Sequence, residues 1–375
     1  MSEDIYTQLA RHLDKMPSGF PATEDGLELR ILKRLFTVEQ ARLALHLNLI
    51  PEPIPVIARR ADLDEETTAE MLEEMADKGL IYDIHKSGEP PLYMGYHFVV
   101  GIWEWQVNRL DPELVEDVDK YIARGIMDPQ VWKENPQLRT IPIGESIPNP
   151  AEVLPYEQAE KIIQGHEKFA IADCICRKEK ALSGEACDKP MESCLIMGDG
   201  ADYYERHGMG RPISKSEAFE ILALSDKHGL VLQPANNKKA GNICFCCGDC
   251  CGVLRTIKQY PNPGTLISSP YRAIVDQDLC AACETCLERC QMEAIHVNGT
   301  AQIQDERCIG CGLCVTTCDT GALSLERKPE AEQPYIPKDT VENLLRLGRQ
   351  RGVIKTPDLV LMGLRSKIDR FLALR

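Results

Sequence analysis

Eight cysteines near the C-terminal end fall into two matching runs: Cys280, Cys283, Cys286 and Cys290, then Cys308, Cys311, Cys314 and Cys318. Each run reads C-x2-C-x2-C-x3-C, and the second begins 28 residues after the first. Thiolates at this spacing hold 4Fe–4S clusters. Three thiolates on a short loop wrap three irons of one cubane, and the fourth starts a helix that reaches the other cluster. The spacing therefore assigns Cys280, Cys283, Cys286 and Cys318 to one cluster, and Cys308, Cys311, Cys314 and Cys290 to a second. One run alone is compatible with zinc or with chance; two runs in register argue for clusters.

The repeat extends beyond the cysteines. Asp278-Leu279-Cys280 aligns with Glu306-Arg307-Cys308, and Ala294-Ile295 with Ala322-Leu323. Each half reads as loop, short helix and short strand, the strands falling at Ala294–Val297 and Ala322–Leu325. Over residues 270–328 the chain resembles the dicluster ferredoxin domain. It departs from that family at one point: Gln291 and Asp319 stand where proline usually follows the fourth cysteine. Proline is not a ligand, so the departure bears on rigidity and potential.

Nine further cysteines precede this segment: Cys174, Cys176, Cys187, Cys194, Cys244, Cys246, Cys247, Cys250 and Cys251. Nine exceeds the need of one tetrahedral site. It suits two four-thiolate sites with one over, or one cluster plus a dithiol. Phe169–Ala172 is expected as a strand that delivers Cys174 and Cys176. Ser214 or Ser216 with Glu217 starts a helix through Leu224, and Gly229–Leu232 forms a second strand leading to 244–251. Over residues 138–328 the chain resembles large iron–sulfur proteins of anaerobes. These join a C-x-C-R segment, a C-x-C-C-x2-C-C segment and a dicluster ferredoxin. The resemblance implies a third iron–sulfur cluster within 174–251; four-cysteine zinc is the alternative. The Cys-Cys-Gly pairs are similar to those of heterodisulfide reductase subunits, but the long spacings of that motif are absent, and its activity is not carried over.

Arg177 and Lys178 beside Cys176 lower a thiol pKa, anchor an anion or offset cluster charge. Gly198-Asp-Gly200 and Gly208-Met-Gly210 lack the strand–GxGxxG–helix order of a dinucleotide site. No P-loop occurs, and the eight histidines form no i, i+4 pair around an acid. No residue is assigned a catalytic role.

The 375-residue chain is long enough for two or three domains. Met1–Ala10 has no apolar core of a signal peptide, and no run of 18 apolar residues occurs. A cytoplasmic protein is expected, in which clustered cysteines read as metal sites. Exposed 4Fe–4S clusters are commonly oxygen-sensitive, which favours an anaerobic or microaerobic cell. The formal net charge of −15 argues against general nucleic-acid binding and suits a basic patch on a redox partner.

The elements that position these residues read as a multidomain α+β chain. Residues 1–25 form a helical segment. Residues 26–100 resemble a winged helix, with helices at Leu27–Phe36, Val38–Leu47 and Ile54–Arg60. A further helix runs from an Asp64 cap to Lys78, with Gly79 as its C-cap, and a hairpin of Leu80–His85 and Leu92–Phe98 encloses a wing at Lys86–Pro91. Residues 101–135 are expected to be helical, with Trp103, Trp105, Leu114, Val118, Tyr121 and Ile122 in packing. Residues 136–158, with Pro136, Pro142, Pro148, Pro150 and Pro155, form an extended connector across the surface of another element. Residues 159–265 are a cysteine-rich α/β unit, 266–330 the dicluster domain and 331–375 an amphipathic helical tail. From Lys338 to Arg375 that tail carries nine bases against four acids. Leu359, Met362, Ile368, Phe371 and Leu372 share one face of it.

Electron transfer to or from a partner redox enzyme is the leading expectation, with the chain a component of an oxidoreductase system. A redox-sensing winged-helix regulator is the alternative, and a reductase at an open central cluster a second. The helix after Asp64 decides between the first two. It presents Asp64, Glu65, Glu66, Glu70, Glu73, Glu74 and Asp77 with Lys78 as its only base, where a groove-reading helix needs donors and cations. A protein partner, and a homo-oligomer or larger complex, are expected in place of DNA. The tail is expected to pack on the protein's own acidic surface, ahead of partner docking and of membrane-surface binding.

Overall fold

A computed structural model of the chain describes residues 3–123, 136–147 and 153–373. It is 43% helical and 15% strand, in keeping with the α+β class. The chain divides into two compact units. One comprises Met1–Ile126, Arg206–Met209 and Leu344–Arg375, the other Met127–Glu205 and Gly210–Asn343.

In the first unit, α1 (Ile5–Asp14), α2 (Leu27–Leu35) and α3 (Val38–Ala44) precede strand β1 (Glu52–Pro53), α4 (Ile54–Ala61) and α5 (Glu65–Asp77). Thr37 opens α3 with a reciprocal cap: Gln40 N–H donates to its hydroxyl, and Thr37 N–H donates to the Gln40 side chain, which satisfies donors the helix leaves free. Asp64 caps α5 by accepting from Thr67 N–H at 2.8 Å. Gly79 turns the chain at φ +68°, where an added Cβ would meet Trp105 at 2.6 Å. Strands β2 (Tyr82–Ile84) and β3 (Leu92–Met94) pair antiparallel, and β1 joins the far side of β3. Two residues, one a proline, gave β1 no alternation to detect.

The helix expected to start at 101 does not form there: Gly101 leaves helical geometry and only a short 3-10 turn, Glu104–Gln106, follows. Just before it Val100 sits at φ +55°, a costly conformation for a β-branched residue. Regular helix α6 (Pro112–Tyr121) begins only at the Asp111 cap, and residues 124–135 lie outside those described. Trp103, Trp105, Leu114, Val118, Tyr121 and Ile122 are buried in the core.

In the second unit residues 136–147 of the connector lie against other elements and are largely buried there. Leu138, Thr140 and Ile141 are buried, and Leu138 and Ile141 form bridges to Ala235 and Leu232. Arg139 is 1% exposed and donates to the carbonyls of Tyr156 at 2.5 Å and Asn237 at 3.3 Å. Burial pushes its pKa down to about 10. Pro148 and Pro150 lie outside the described residues.

After α7 (Ala159–Gln164) come β4 (Phe169–Asp173), α8 (Ile175–Leu182), β5 (Glu192–Met197), α9 (Asp199–Arg206), β6 (Arg211–Ile213), α10 (Lys215–Lys227), β7 (Val231–Pro234), β8 (Asn242–Cys246) and α11 (Gly252–Ile257). The strands form one antiparallel sheet in the order β6-β4-β5-β8-β7. Ser214, not Ser216, caps α10. Beyond it, β9 (Tyr271–Val275), α12 (Thr285–Arg289), β10 (Ile295–Asn298), β11 (Thr300–Ile303) and β12 (Leu323–Arg327) follow. β9 pairs with β12 and β10 with β11, both antiparallel.

Helices α13 (Thr340–Gln350) and α14 (Thr356–Ala373) end the chain. In the first unit Arg60 bridges Glu52 at 2.8 Å and Asp369 at 2.9 Å, and Ser366 donates to Glu52 at 2.7 Å. The polar side of α14 therefore makes these contacts. Ile368, Phe371 and Leu372 stay about half exposed, while Leu359 and Met362 are half-buried. Among the described residues no helix is long and apolar enough to cross a membrane.

Candidate metal centres

The two terminal runs are brought into two cavities. Cys280, Cys283, Cys286 and Cys318 line one. Cys290, Cys308, Cys311 and Cys314 line the other. Each cavity thus takes three thiols from one run and the fourth from the other. The local chain differs from expectation in one respect. Cys290 ends helix α12 instead of starting one, and Cys318 follows a series of turns rather than a helix. The left-handed residues Ala282, Glu284 and Gly312 curl the loops around their sulfurs.

Backbone N–H groups point at these sulfurs. Ala301 N–H donates to Cys280 and Ala294 N–H to Cys290, each at 3.2 Å, and Ala273 N–H donates to Cys308 at 3.4 Å. The Thr285 hydroxyl donates to Cys283 at 3.5 Å and holds that thiol below its ordinary range. The two cavities differ in exposure. Cys283 is exposed, whereas Cys308 and Cys314 are buried. Burial pushes Cys311 up to about 12 and raises Cys308 and Cys314. Four convergent thiols with N–H donors behind them fit a cubane cluster in each cavity.

The nine middle cysteines divide neither four and four nor four and two. Six form a chain of thiol contacts in the order Cys174, Cys176, Cys251, Cys246, Cys244, Cys194. Three others, Cys187, Cys247 and Cys250, lie within 4.8 Å of one another. The sheet explains the six. β4 ends at Asp173 and delivers Cys174 and Cys176; β5 places Cys194 directly opposite Cys244 of β8, and Cys246 follows at the end of β8. Cys251 lies immediately before α11, whose Gly252 N–H donates to Cys176 at 3.5 Å. The sequence reading missed β5 and β8. Their signal was the alternation of Ile243 and Phe245 with Cys244 and Cys246, and the apolar run Leu195–Met197.

The direction of the thiol pKa shift alternates along five of the six. A hydrogen bond from Cys194 holds Cys244 well below the ordinary thiol range, and one from Cys176 does the same for Cys251. Cys174 is lowered by the Cys176 hydrogen bond. Cys176 and Cys246, the donors, are held well above it. Arg177 is the buried cation beside this group. Its guanidinium is 2% exposed and donates to the carbonyls of Pro190 at 2.7 Å and Phe245 at 2.9 Å, and to the Ser193 hydroxyl. Burial disfavours its charge, but its charge interactions with Cys174, Cys247 and Cys246 outweigh that and raise its pKa. Lys178 turns away to pair with Asp173 at 3.0 Å. Of the roles open to Arg177, charge offset is the one its surroundings match.

The middle cysteines also meet the second terminal cavity. Gly248, between Cys247 and Asp249, donates its N–H to the Gln291 side chain at 2.7 Å, and Gln291 follows Cys290.

A 4Fe–4S binding domain family matches residues 301–324, which contain the second terminal run. Curated relatives include an uncharacterised ferredoxin of Methanocaldococcus jannaschii, 34% identical over 14% of this chain and 90% of that one. A ferredoxin of Pyrobaculum islandicum is 34% identical over 16% of this chain and 61% of that one. An archaeal-type NADPH glutamate synthase of Dehalococcoides mccartyi is 26% identical over 23% of this chain and 19% of that one. Of these last two the chain spans less than two-thirds. No solved structure matches it.

Proposed function

The chain belongs to the ferredoxin family, and on that premise we propose a multi-cluster protein that relays low-potential electrons to or from a partner redox enzyme. Graded exposure of the thiol groups carries this reading: Cys283 meets solvent, Cys308 and Cys314 are buried, and the Gln291–Gly248 bond leads on to the middle cysteines. When bound, two 4Fe–4S clusters supply one-electron chemistry in the two terminal cavities. Cys280, Cys283, Cys286 and Cys318 hold the group that faces a partner. Cys308, Cys311, Cys314 and Cys290 hold the inner one. Four of the six sulfurs from Cys174 to Cys251 would hold a third iron–sulfur cluster, and Arg177 would offset its charge. The N–H donors at Cys280, Cys290 and Cys308 favour added negative charge and raise the potentials.

The first unit is a winged helix used for docking. Its helix-rich order, followed by the β2–β3 hairpin, supports that assignment. The acids of α5 repel phosphate. Asp77 and Asp83 are further engaged by His207 at 2.7 and 3.1 Å, and Asp83 by Arg206 at 2.7 Å. A protein partner or a second copy suits this surface, in the cytoplasm of an anaerobic cell.

Anaerobic purification tests the reading through iron and sulfide content, with EPR of the reduced protein. About eight iron atoms per chain are expected from the terminal runs and about four from the middle group. Iron near zero overturns it. A nanomolar, redox-dependent gel shift on DNA at physiological salt would favour the regulator instead.

A further inference from the structure

The two Cys-Cys pairs of the middle segment each split between two groups. Cys246 and Cys251 join the chain of six thiols, while their neighbours Cys247 and Cys250 meet Cys187. Cys187 comes from the loop between α8 and β5, whose residues 183–186 are exposed. We infer that Cys187, Cys247 and Cys250 form a separate site for one zinc ion, with the fourth position taken by water or an incoming thiol.

Spacing distinguishes this site from the others. The Cys187 and Cys247 sulfurs are 4.0 Å apart, and all three lie within 4.8 Å of one another. Tetrahedral zinc with bonds of about 2.3 Å to sulfur sets its ligands roughly 3.8 Å apart. In a cubane each thiolate sits on a different iron, so its cysteines stand further apart. Among the described residues no other group of three or more His, Cys, Asp or Glu ligand atoms is this close. That holds for both terminal cavities and for the chain of six thiols.

The same observation leaves the site one ligand short. Among the described residues no fourth His, Cys, Asp or Glu atom lies within that distance of all three sulfurs. Structural zinc sites are closed by four protein ligands, whereas sites that bind an exogenous group keep three and an open position. Cys247 and Cys250 are each 1% exposed, whereas Cys187 is half-buried at the loop. The inference does not depend on electron transfer by the terminal clusters, which ligate through other cysteines.

Metal analysis and zinc-edge X-ray absorption of the full chain, isolated anaerobically, test it. One zinc per chain is expected, in a shell of three sulfurs and one oxygen or nitrogen. Added 2-mercaptoethanol should convert that shell to four sulfurs. Cys187→Ser should lower the sulfur count by one or release the zinc, with iron per chain unchanged. The inference fails if zinc is absent, or if the wild-type shell already holds four sulfurs without added thiol. It also fails if Cys187→Ser leaves the shell as it was. Should that variant not fold, the wild-type shell decides alone. Zinc present with iron absent would sink the electron-transfer reading and leave this site standing.

Discussion

The N–H of Gly248 donates to the side-chain oxygen of Gln291 at 2.7 Å. An added Cβ at 248 would find no room against the Gln291 carbonyl, so the two segments meet at backbone contact. Gln291 occupies the position where related domains carry proline. Here a side-chain acceptor replaces ring rigidity and ties the terminal cavity to the cysteine-rich loop.

Gln291→Leu removes that acceptor and leaves the Gly248 N–H without it. A loss of about 1–3 kcal/mol in urea unfolding is expected. Iron content should hold, while electron exchange between the inner terminal site and the middle group slows in rapid-mixing EPR. An unchanged rate would mean that electrons do not use this junction.

Cys311→Ala and Cys251→Ala should separate the terminal and middle groups. The first is expected to remove about four iron atoms from the terminal runs and spare the middle group; the second does the reverse. Iron and sulfide analysis with EPR reads both. Equal loss of every signal in both variants would show that the two groups do not assemble independently.

The terminal sites were legible because their spacing is local. Three thiols within seven residues define a loop without knowledge of the fold, and the cavities take the two expected sets. The middle cysteines were not legible. Their grouping depends on the Cys194–Cys244 register across β5 and β8, and on adjacent cysteines facing different neighbours. The α2–α5 helices were readable from capping residues such as Asp64 and from apolar spacing. The strand β1 and the break at Val100 were not, because neither has a local pattern. For α14 the apolar stripe suggested the packing face, but the first-unit contacts use Ser366 and Asp369.

Arg177→Gln should strand buried thiolates without their cation. A destabilisation of about 3 kcal/mol or more is expected, with a fall in the reduction potential of the middle group because reduction adds negative charge. Arg177→Lys should rescue only part of the loss, since one ammonium cannot reach Pro190, Phe245 and Ser193 from the same planar fork. A redox titration monitored by EPR, with thermal melts, checks both.

His207 lies between Asp77 and Asp83, with Arg206 beside it. Burial alone would lower its pKa, but the two carboxylates outweigh burial and raise it. A raised folded pKa stabilises below the unfolded value of 6.5, and that stabilisation is lost as pH rises through the folded value. The first unit should therefore unfold at lower denaturant as the medium becomes alkaline, starting above pH 6.5. His207→Gln should flatten this dependence. The same slope in the variant would locate the titration elsewhere.

The buried strap of residues 136–147 fixes when the second unit can finish folding. Leu138 and Ile141 bridge to Ala235 and Leu232, Arg139 to Ser268, and Ile143 N–H donates to the Cys311 carbonyl at 3.0 Å. These partners emerge from the ribosome roughly 90 to 170 residues after the strap, or on the order of ten seconds at bacterial synthesis rates. The nine middle thiols emerge within that interval, and the last strap partner, Cys311, follows Cys251 by 60 residues. The nascent chain is then most open to stray metal and oxidant, and cofactor insertion before strap closure would have to compete with both.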